Sequence, residues 1–379
     1  MALRVKTDWI LFTTIVLLVF FGAVMVYSAS SVKAEQKLGT SYYYIERQGF
    51  WIAMGFAVMM LLKGFNYRKL AHPGVAFAFI GVVLILLIIV FFADPKQHRW
   101  IRIAGAQLQP SEFAKPAMML FLAFFLAIRS RAINNKHTLG PAALAVGIMT
   151  FLVGLADFGT AAVLFLSAMA VFVVAGLGRR YVLIVAGVGL LAAVGLIVQK
   201  PYRLKRIIGF VDPQFKLLAK FDPKGRVKSL MDKSLTTKDT NYQVDQSKIA
   251  VGSGGWTGLG LMQGKQKLLY LPEAHTDMIY AVVGEEFGLL GTTLVLVAFM
   301  VIFWRGLRAA VLVPDEFGRY LALGITLALL IQAFMNISVA LGMGPTKGIA
   351  LPMISYGGTS LLSTMASLGV LLNLSENAG

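Results

Sequence analysis

The chain has 379 residues, of which 58% are hydrophobic and only 14% charged, with no cysteine and a formal net charge of +17. A soluble domain has about a quarter of its residues charged, so this composition and a mean hydropathy of +0.75 exclude an ordinary soluble globule. The absence of cysteine excludes disulfides and thiolate chemistry, and the four histidines, His72, His98, His137 and His275, include no pair at helical metal-ligand spacing.

Apolar runs near the roughly 20 residues that cross a bilayer recur along the whole chain. The pattern predicts an all-α, polytopic integral membrane protein of about ten transmembrane helices with one large extracytoplasmic loop; a membrane β-barrel would instead show alternating strands of about ten residues. The predicted spans are residues 9–30, 48–64, 73–93, 112–130, 139–157, 158–177, 181–199, 275–304, 317–340 and 355–374. Arg4 and Lys6 give the first run a signal-peptide-like start, but its length favours a retained span. Only Ala156-Asp157-Phe158-Gly159 separates spans five and six, which places that turn at a membrane face.

Lysines and arginines of the short loops are biased toward the side that holds the N-terminus, and this predicts both termini in the cytoplasm. The long loop, residues 200–272, faces outward and breaks the bias, with fourteen lysines and arginines against five aspartates. Long loops translocate largely regardless of charge. Its basic surface suits anionic headgroups or a phosphorylated ligand, or it is simply a solvated loop. Nucleic acid is not expected, because the charge is dispersed and faces away from the cytoplasm. Within the loop, Lys216 to Thr240 has the composition of a poorly ordered segment.

Four stretches carry the candidate chemistry, and the predicted topology brings them to the outer face. The first is Arg99 to Pro116. Its Glu112 and Lys115 share one helix face, and Ser111 is placed as an N-cap. They are either an ion pair at the start of a helix or charges inside a water-filled cavity. The second holds Asp157, either a cap for the following helix or a functional acid. The third runs from the glycine-rich Gln246–Gln266 into QKLLYLPEAHTDMIYAVVGEEFGLLG. That glycine stretch lacks the spacing of a dinucleotide fold or P-loop, which argues against nucleotide binding. Asp277 sits where the loop becomes a long apolar segment, where an ionisable group is costly and therefore functional by default. Glu285 and Glu286, two turns on, are expected to be structural. The fourth is Gly342 to Leu362, where Pro345, Pro352 and Gly357-Gly358 break the helix beside Lys347, and where Ser355 is a further polar candidate. Broken backbone at membrane depth suits the wall of a cavity.

Together these stretches resemble the SEDS membrane glycosyltransferases, the family of RodA and FtsW. QPSEFAK (Gln109 to Lys115), ADFGT, GSGG followed by LPEAHTDMIY and GEEFG, and PTKGIALPMISYGGTS match the family's patterns in order. The likeness runs from Met25 to the last span. QKLLYLPEAHTDMIY and GPTKGIALPMISYGG look more like the division member than the elongation member. The family's usual Gln-Pro before the span-six aspartate is Leu155-Ala156 here, Phe158 replaces a leucine, Met278 follows Asp277, and Leu217 to Thr240 looks like an insertion.

The resemblance implies a single membrane domain over residues 1–379, embedded as a multi-pass protein in the bacterial cytoplasmic membrane. It implies a peptidoglycan glycosyltransferase that polymerises lipid II with release of polyprenyl pyrophosphate, working with a class B penicillin-binding protein among membrane lipids. The family's essential aspartate corresponds to Asp277, expected as the base that activates an acceptor hydroxyl. Glu112, Lys115, Asp157, Lys347 and Ser355 are expected to bind substrate, and positive charge must meet the departing pyrophosphate. A divalent cation such as Mg2+ or Mn2+ is a candidate helper. The rival reading is a flippase or transporter of lipid-linked precursors, since buried acids and broken segments suit transporters too. Against it, the charges gather at one face and no inverted repeat is evident.

Overall fold

The computed structural model describes residues 7–95, 97–103, 106–212, 237–268, 270–346 and 348–378. Among them are twelve α-helices and one short hairpin. Helices α1 to α7 span Trp9–Leu38, Tyr43–Gly64, Pro73–Ala93, Pro110–Arg129, Lys136–Ala156, Phe158–Val174 and Arg179–Val198. In the long loop lie α8 (Pro201–Val211) and α9 (Thr237–Ser253), and the chain closes with α10 (Ile279–Leu312), α11 (Glu316–Ala340) and α12 (Gly358–Glu376). Nine of these helices are long and apolar enough to cross a membrane, and the 17-residue α6 is a shorter apolar helix. With it, the ten predicted spans are all present, and the protein is an all-α, multi-pass membrane protein.

Local chemistry sets several of the ends. Asp8 caps α1 by accepting from the Leu11 amide, and Asp315 caps α11 by accepting from Gly318, which supplies acceptors that the first turn lacks. Helix α1 runs past its predicted end at Ser30 to Leu38, where Gly39 takes a left-handed conformation (φ 72°) and ends it. The start expected for span eight is also displaced: residues 275–278 form a turn, and the helix opens only at Ile279. Ser111 does not cap α4, which starts at Pro110; the Ser111 hydroxyl instead accepts from the Gln109 side-chain amide.

Helices α4 and α11 are the interior of the bundle, with 72% of each apolar window buried, whereas α7 buries only 6%. Leu17, Phe20, Leu61, Phe92, Leu183 and Leu191 lie on the outside, the arrangement expected when the solvent is hydrocarbon. Up-and-down connectivity gathers the starts of α2, α4, α6, α10 and α12 and the ends of α3, α5, α7 and α11 at one end of the bundle. A hairpin, β1 (Ile101–Ile103) against β2 (Ala106–Leu108), lies at that end ahead of α4 and pairs Arg102 with Gln107.

The long loop is more structured than its composition suggests. Arg203 of α8 donates to the Leu196 and Leu155 carbonyls at the ends of α7 and α5. Helix α9 lies on α10 and is tied to α11 by Ser247, which donates to the Ala340 carbonyl at 2.5 Å. Of the segment expected to be poorly ordered, and of the apparent insertion, residues up to 236 lie outside the described residues; the last four open α9.

Helix α10 is broken at Gly288 (φ 62°, ψ −156°). The glycine-rich segment fills the break. Leu259 and Gly260 amides donate to the Glu285 and Glu286 carbonyls, while the Leu289 and Leu290 amides donate to Gly255 and Trp256. Four backbone groups that a continuous helix would pair internally are thus paired by a loop, as low-dielectric surroundings require. A Cβ at Gly258 would lie 2.1 Å from the Glu286 oxygen, so the close approach demands glycine. The glycine cluster is structural backbone for a broken span.

Candidate active site

The residues ahead of α10 form a tight turn. Glu273 adopts a left-handed conformation (φ 52°), and its carbonyl accepts from the Thr276 and Met278 amides. Such a conformation in a non-glycine residue costs on the order of 1 kcal/mol and persists where the surroundings enforce it. Three successive carbonyls of the turn are held by other elements. His275 accepts from the Tyr356 amide at 2.9 Å, Thr276 from the Ser355 hydroxyl at 2.6 Å and Asp277 from the Asn336 side chain at 2.8 Å.

The Asp277 side chain itself makes no hydrogen bond or ion pair with any described residue. It lines a cavity of about 670 Å³ together with Arg99, Glu112, Glu273, Trp51 and Tyr356. Its carboxylate lies against Gly348, where a Cβ would stand 3.1 Å from Oδ2, so that glycine leaves the carboxylate its space. Although partly open to the cavity, the group is deep enough that burial pushes its pKa up to about 7, reinforced by Glu273 and Asp157 and opposed by Arg99 and Arg206. Beside it, burial and the Lys33 charge hold the His275 imidazole down at about 4, so that ring is neutral as it packs against Tyr44 and Tyr356.

Among the described residues, Arg99 is the cation that acts most strongly on Asp277. Its guanidinium meets Asp157 at 3.0 Å and donates to the Gly348 carbonyl at 3.4 Å. It is also part of the wall of a second, smaller cavity of about 110 Å³, shared with Asp157, Tyr202, Arg203 and Arg206. Sequence reasoning placed Arg99 at the head of a candidate stretch without a role of its own and Arg206 only in the charge of the long loop. Their roles depend on α8 folding back over the ends of α5 and α7, which no local pattern announces.

The other expected residues divide. Glu112 lines the main cavity. Lys115 does not: its ammonium is held by Glu112 at 2.7 Å and Gln332 at 2.5 Å, behind the wall. Asp157 caps α6 through the Gly159 and Thr160 amides, as the capping alternative expected, and also pairs with Arg99. Ser355 faces inward, donating to Thr276 and accepting from the Leu351 amide. Lys347 lies outside the described residues.

Glu285 and Glu286 are buried partners of the loop. Glu285 accepts from the Lys265 and Gln266 amides, and Glu286 pairs with Lys267 at 2.5 Å and with Ser28 of α1 at 2.6 Å. Among the described residues no group of three or more potential metal ligands forms. Asp157 is saturated by amides, the Thr160 hydroxyl and Arg99.

Curated relatives align over nearly the whole chain. A probable peptidoglycan glycosyltransferase FtsW from Geobacter sp. (strain M18) is 38% identical over 380 residues, 97% of this chain and 96% of the relative. Stage V sporulation protein E from Bacillus subtilis (strain 168) is 35% identical over 378 residues, covering 98% of each. Among solved structures, a chain from a peptidoglycan synthase complex superposes with TM-score 0.73 at 26% identity, covering 98% of each chain. The Thermus thermophilus rod shape determining protein RodA shares the fold, with TM-score 0.68 at 24% identity over 98% of each chain. Residues 8–379 match the FtsW, RodA and SpoVE family model, described as a cell cycle protein, and the chain belongs to that family.

Proposed function

We propose that this protein is a peptidoglycan glycosyltransferase that polymerises lipid II at the outer face of the bacterial cytoplasmic membrane, with both termini in the cytoplasm. The observation that carries the proposal is an Asp277 carboxylate with no hydrogen bond or ion pair among the described residues, its pKa pushed up to about 7, lining one cavity with Arg99 at one end of the bundle. The identity to FtsW-named relatives supports the reaction class and favours a role in division. The likeness to a chain of a peptidoglycan synthase complex supports a class B penicillin-binding protein as partner.

In the proposed reaction, Asp277 takes the proton of an acceptor sugar hydroxyl as that oxygen attacks the anomeric carbon of a second lipid-linked sugar. The bond to pyrophosphate breaks, and polyprenyl pyrophosphate leaves with the electron pair. One displacement at an α-linked donor gives a β-linked product. Pyrophosphate needs no acid but does need positive charge, which Arg99 supplies at the cavity wall and Arg206 behind it. Lys347 remains a candidate from its sequence position next to Gly348. Glu112 offers a polar contact inside the cavity, whereas Lys115, Asp157 and Ser355 act from behind by fixing Glu112, Arg99 and the Asp277 turn. The basic long loop suits anionic lipid headgroups.

Purified protein, alone and with candidate penicillin-binding proteins, incubated with lipid II tests this directly. Glycan polymer is the expected product. Movement of lipid II across vesicles without any polymer would favour the transporter instead.

A further inference from the structure

We propose that Asn336, deep in α11, is a positioning residue that fixes Asp277 against the Gly348–Ile349 backbone, the segment whose carbonyl anchors Arg99. The inference rests on Asp277 being the base, as above. Asn336 is 1% exposed, in a helix whose apolar window has a mean hydropathy of 1.9. A buried amide in such surroundings is unfavourable unless its hydrogen bonds are made. Here the side-chain nitrogen donates twice, to the Asp277 carbonyl at 2.8 Å and to the Ile349 carbonyl at 2.7 Å. Its oxygen has no partner among the described residues. The amide therefore sits in a place where stability alone does not favour it.

What it joins explains its presence. Ile349 follows Gly348, whose backbone lies against the Asp277 carboxylate and whose carbonyl takes Arg99. Asn336 thus ties the backbone of the base to the backbone segment that anchors the cation. Among the described residues no side chain holds the Asp277 carboxylate, so its position is inherited from the main chain. Ser355 and Tyr356 fix the two preceding carbonyls, those of Thr276 and His275. Among the described residues only Asn336 bonds to Asp277 itself. A single NH2 with two hydrogens can serve two carbonyls. Aspartate would turn acceptors toward acceptors, serine has one hydrogen, and glutamine places its amide one methylene away.

Asn336 does not line the cavity, so it contributes to rate through geometry and not through contact with substrate. A displacement of about 1 Å in a reacting group can cost about 100-fold. The test uses the full-length purified protein as wild type, Asn336→Ala and Asn336→Gln, assayed with lipid II across pH and by thermal unfolding in detergent. The groups around Asp277 that shape its titration are Arg99, Arg206, Glu273 and Asp157.

The expected result is a kcat for Asn336→Ala reduced about 10- to 100-fold. KM should stay within about two-fold, since no contact with substrate is lost, and the acid limb of the pH profile should be displaced. Asn336→Gln should fall between Ala and wild type. Wild-type kcat in the Ala variant overturns the proposal. So does a loss of kcat that follows the loss of thermal stability while the acid limb stays in place. Should Asn336→Ala fail to fold, Asn336→Gln decides alone: a lowered kcat with a displaced limb supports the proposal, and either one without the other overturns it. Failure of the wild type to make polymer would count instead against the function proposed above, so the two failures are separable.

Discussion

Asp277 and Glu286 stand nine residues apart in the same stretch of chain, yet their surroundings are opposite. Glu286 is sealed against Lys267 and Ser28, with both partners of the ion pair at most 2% exposed. Asp277 has three successive carbonyls of its turn fastened, its own included, and no partner for its carboxylate among the described residues. One acid is satisfied and holds a loop in the gap of a broken helix. The other is held in place and left unsatisfied, which keeps its lone pairs available to a proton. The density of acids in this neighbourhood does not separate the two; the partners each acid has among the described residues do.

This contrast can be broken from either side. The largest effect on stability is expected from Glu286→Gln, which leaves Lys267 buried without a counter-charge and should destabilise by roughly 3–5 kcal/mol. Replacing both partners with methionine should recover most of that loss. Thermal unfolding in detergent reads both, and a single variant as stable as wild type would show the pair to be dispensable.

Arg99→Gln should act on activity more than on stability. Arg99 opposes the upward shift of Asp277, so its loss moves that group higher still. The deprotonated base becomes scarcer at neutral pH, and the acid limb of kcat/KM moves to higher pH. For a rise of about one pKa unit we expect a rate about five-fold lower near pH 7, as a half-deprotonated base becomes about one-tenth deprotonated, with part of the loss recovered at alkaline pH. Glu273→Gln is the smaller and opposite perturbation. Glu273 raises Asp277, so removing its charge should move the limb slightly lower. Limbs that move in the same direction in both variants would contradict the electrostatic assignment.

Much of the fold was legible because apolar length is a strong signal in a membrane protein. All ten spans were expected, and the errors fell where helix and loop compete: the turn at residues 275–278, the extension of α1 to Leu38 and the start of α4. The break at Gly288 and its repair by Gly254 to Gly260 were not foreseen. Glycine content shows that backbone can come close, but not which backbone it meets. At the site, Asp277 and Glu112 were visible as acids at a loop–helix boundary and a helix start. Arg99, Arg206 and Asn336 were not, because their partners are distant in sequence; Asn336 reaches Asp277 across 59 positions. Lys115 was expected to bind substrate from its charge, and the structure places it against Glu112 and Gln332 behind the cavity.

The most direct measurement is the rate of lipid II polymerisation by purified Asp277→Asn across pH, beside wild type. Wild type should show an acid limb with a midpoint near the pKa of about 7. The asparagine variant should fold with unchanged thermal stability and lose on the order of 100- to 10,000-fold in rate, the contribution typical of a general base, with no limb remaining. Near-normal polymer from Asp277→Asn, or an unchanged acid limb in its residual activity, would contradict the assignment, because the amide keeps the shape of the side chain and cannot take the proton.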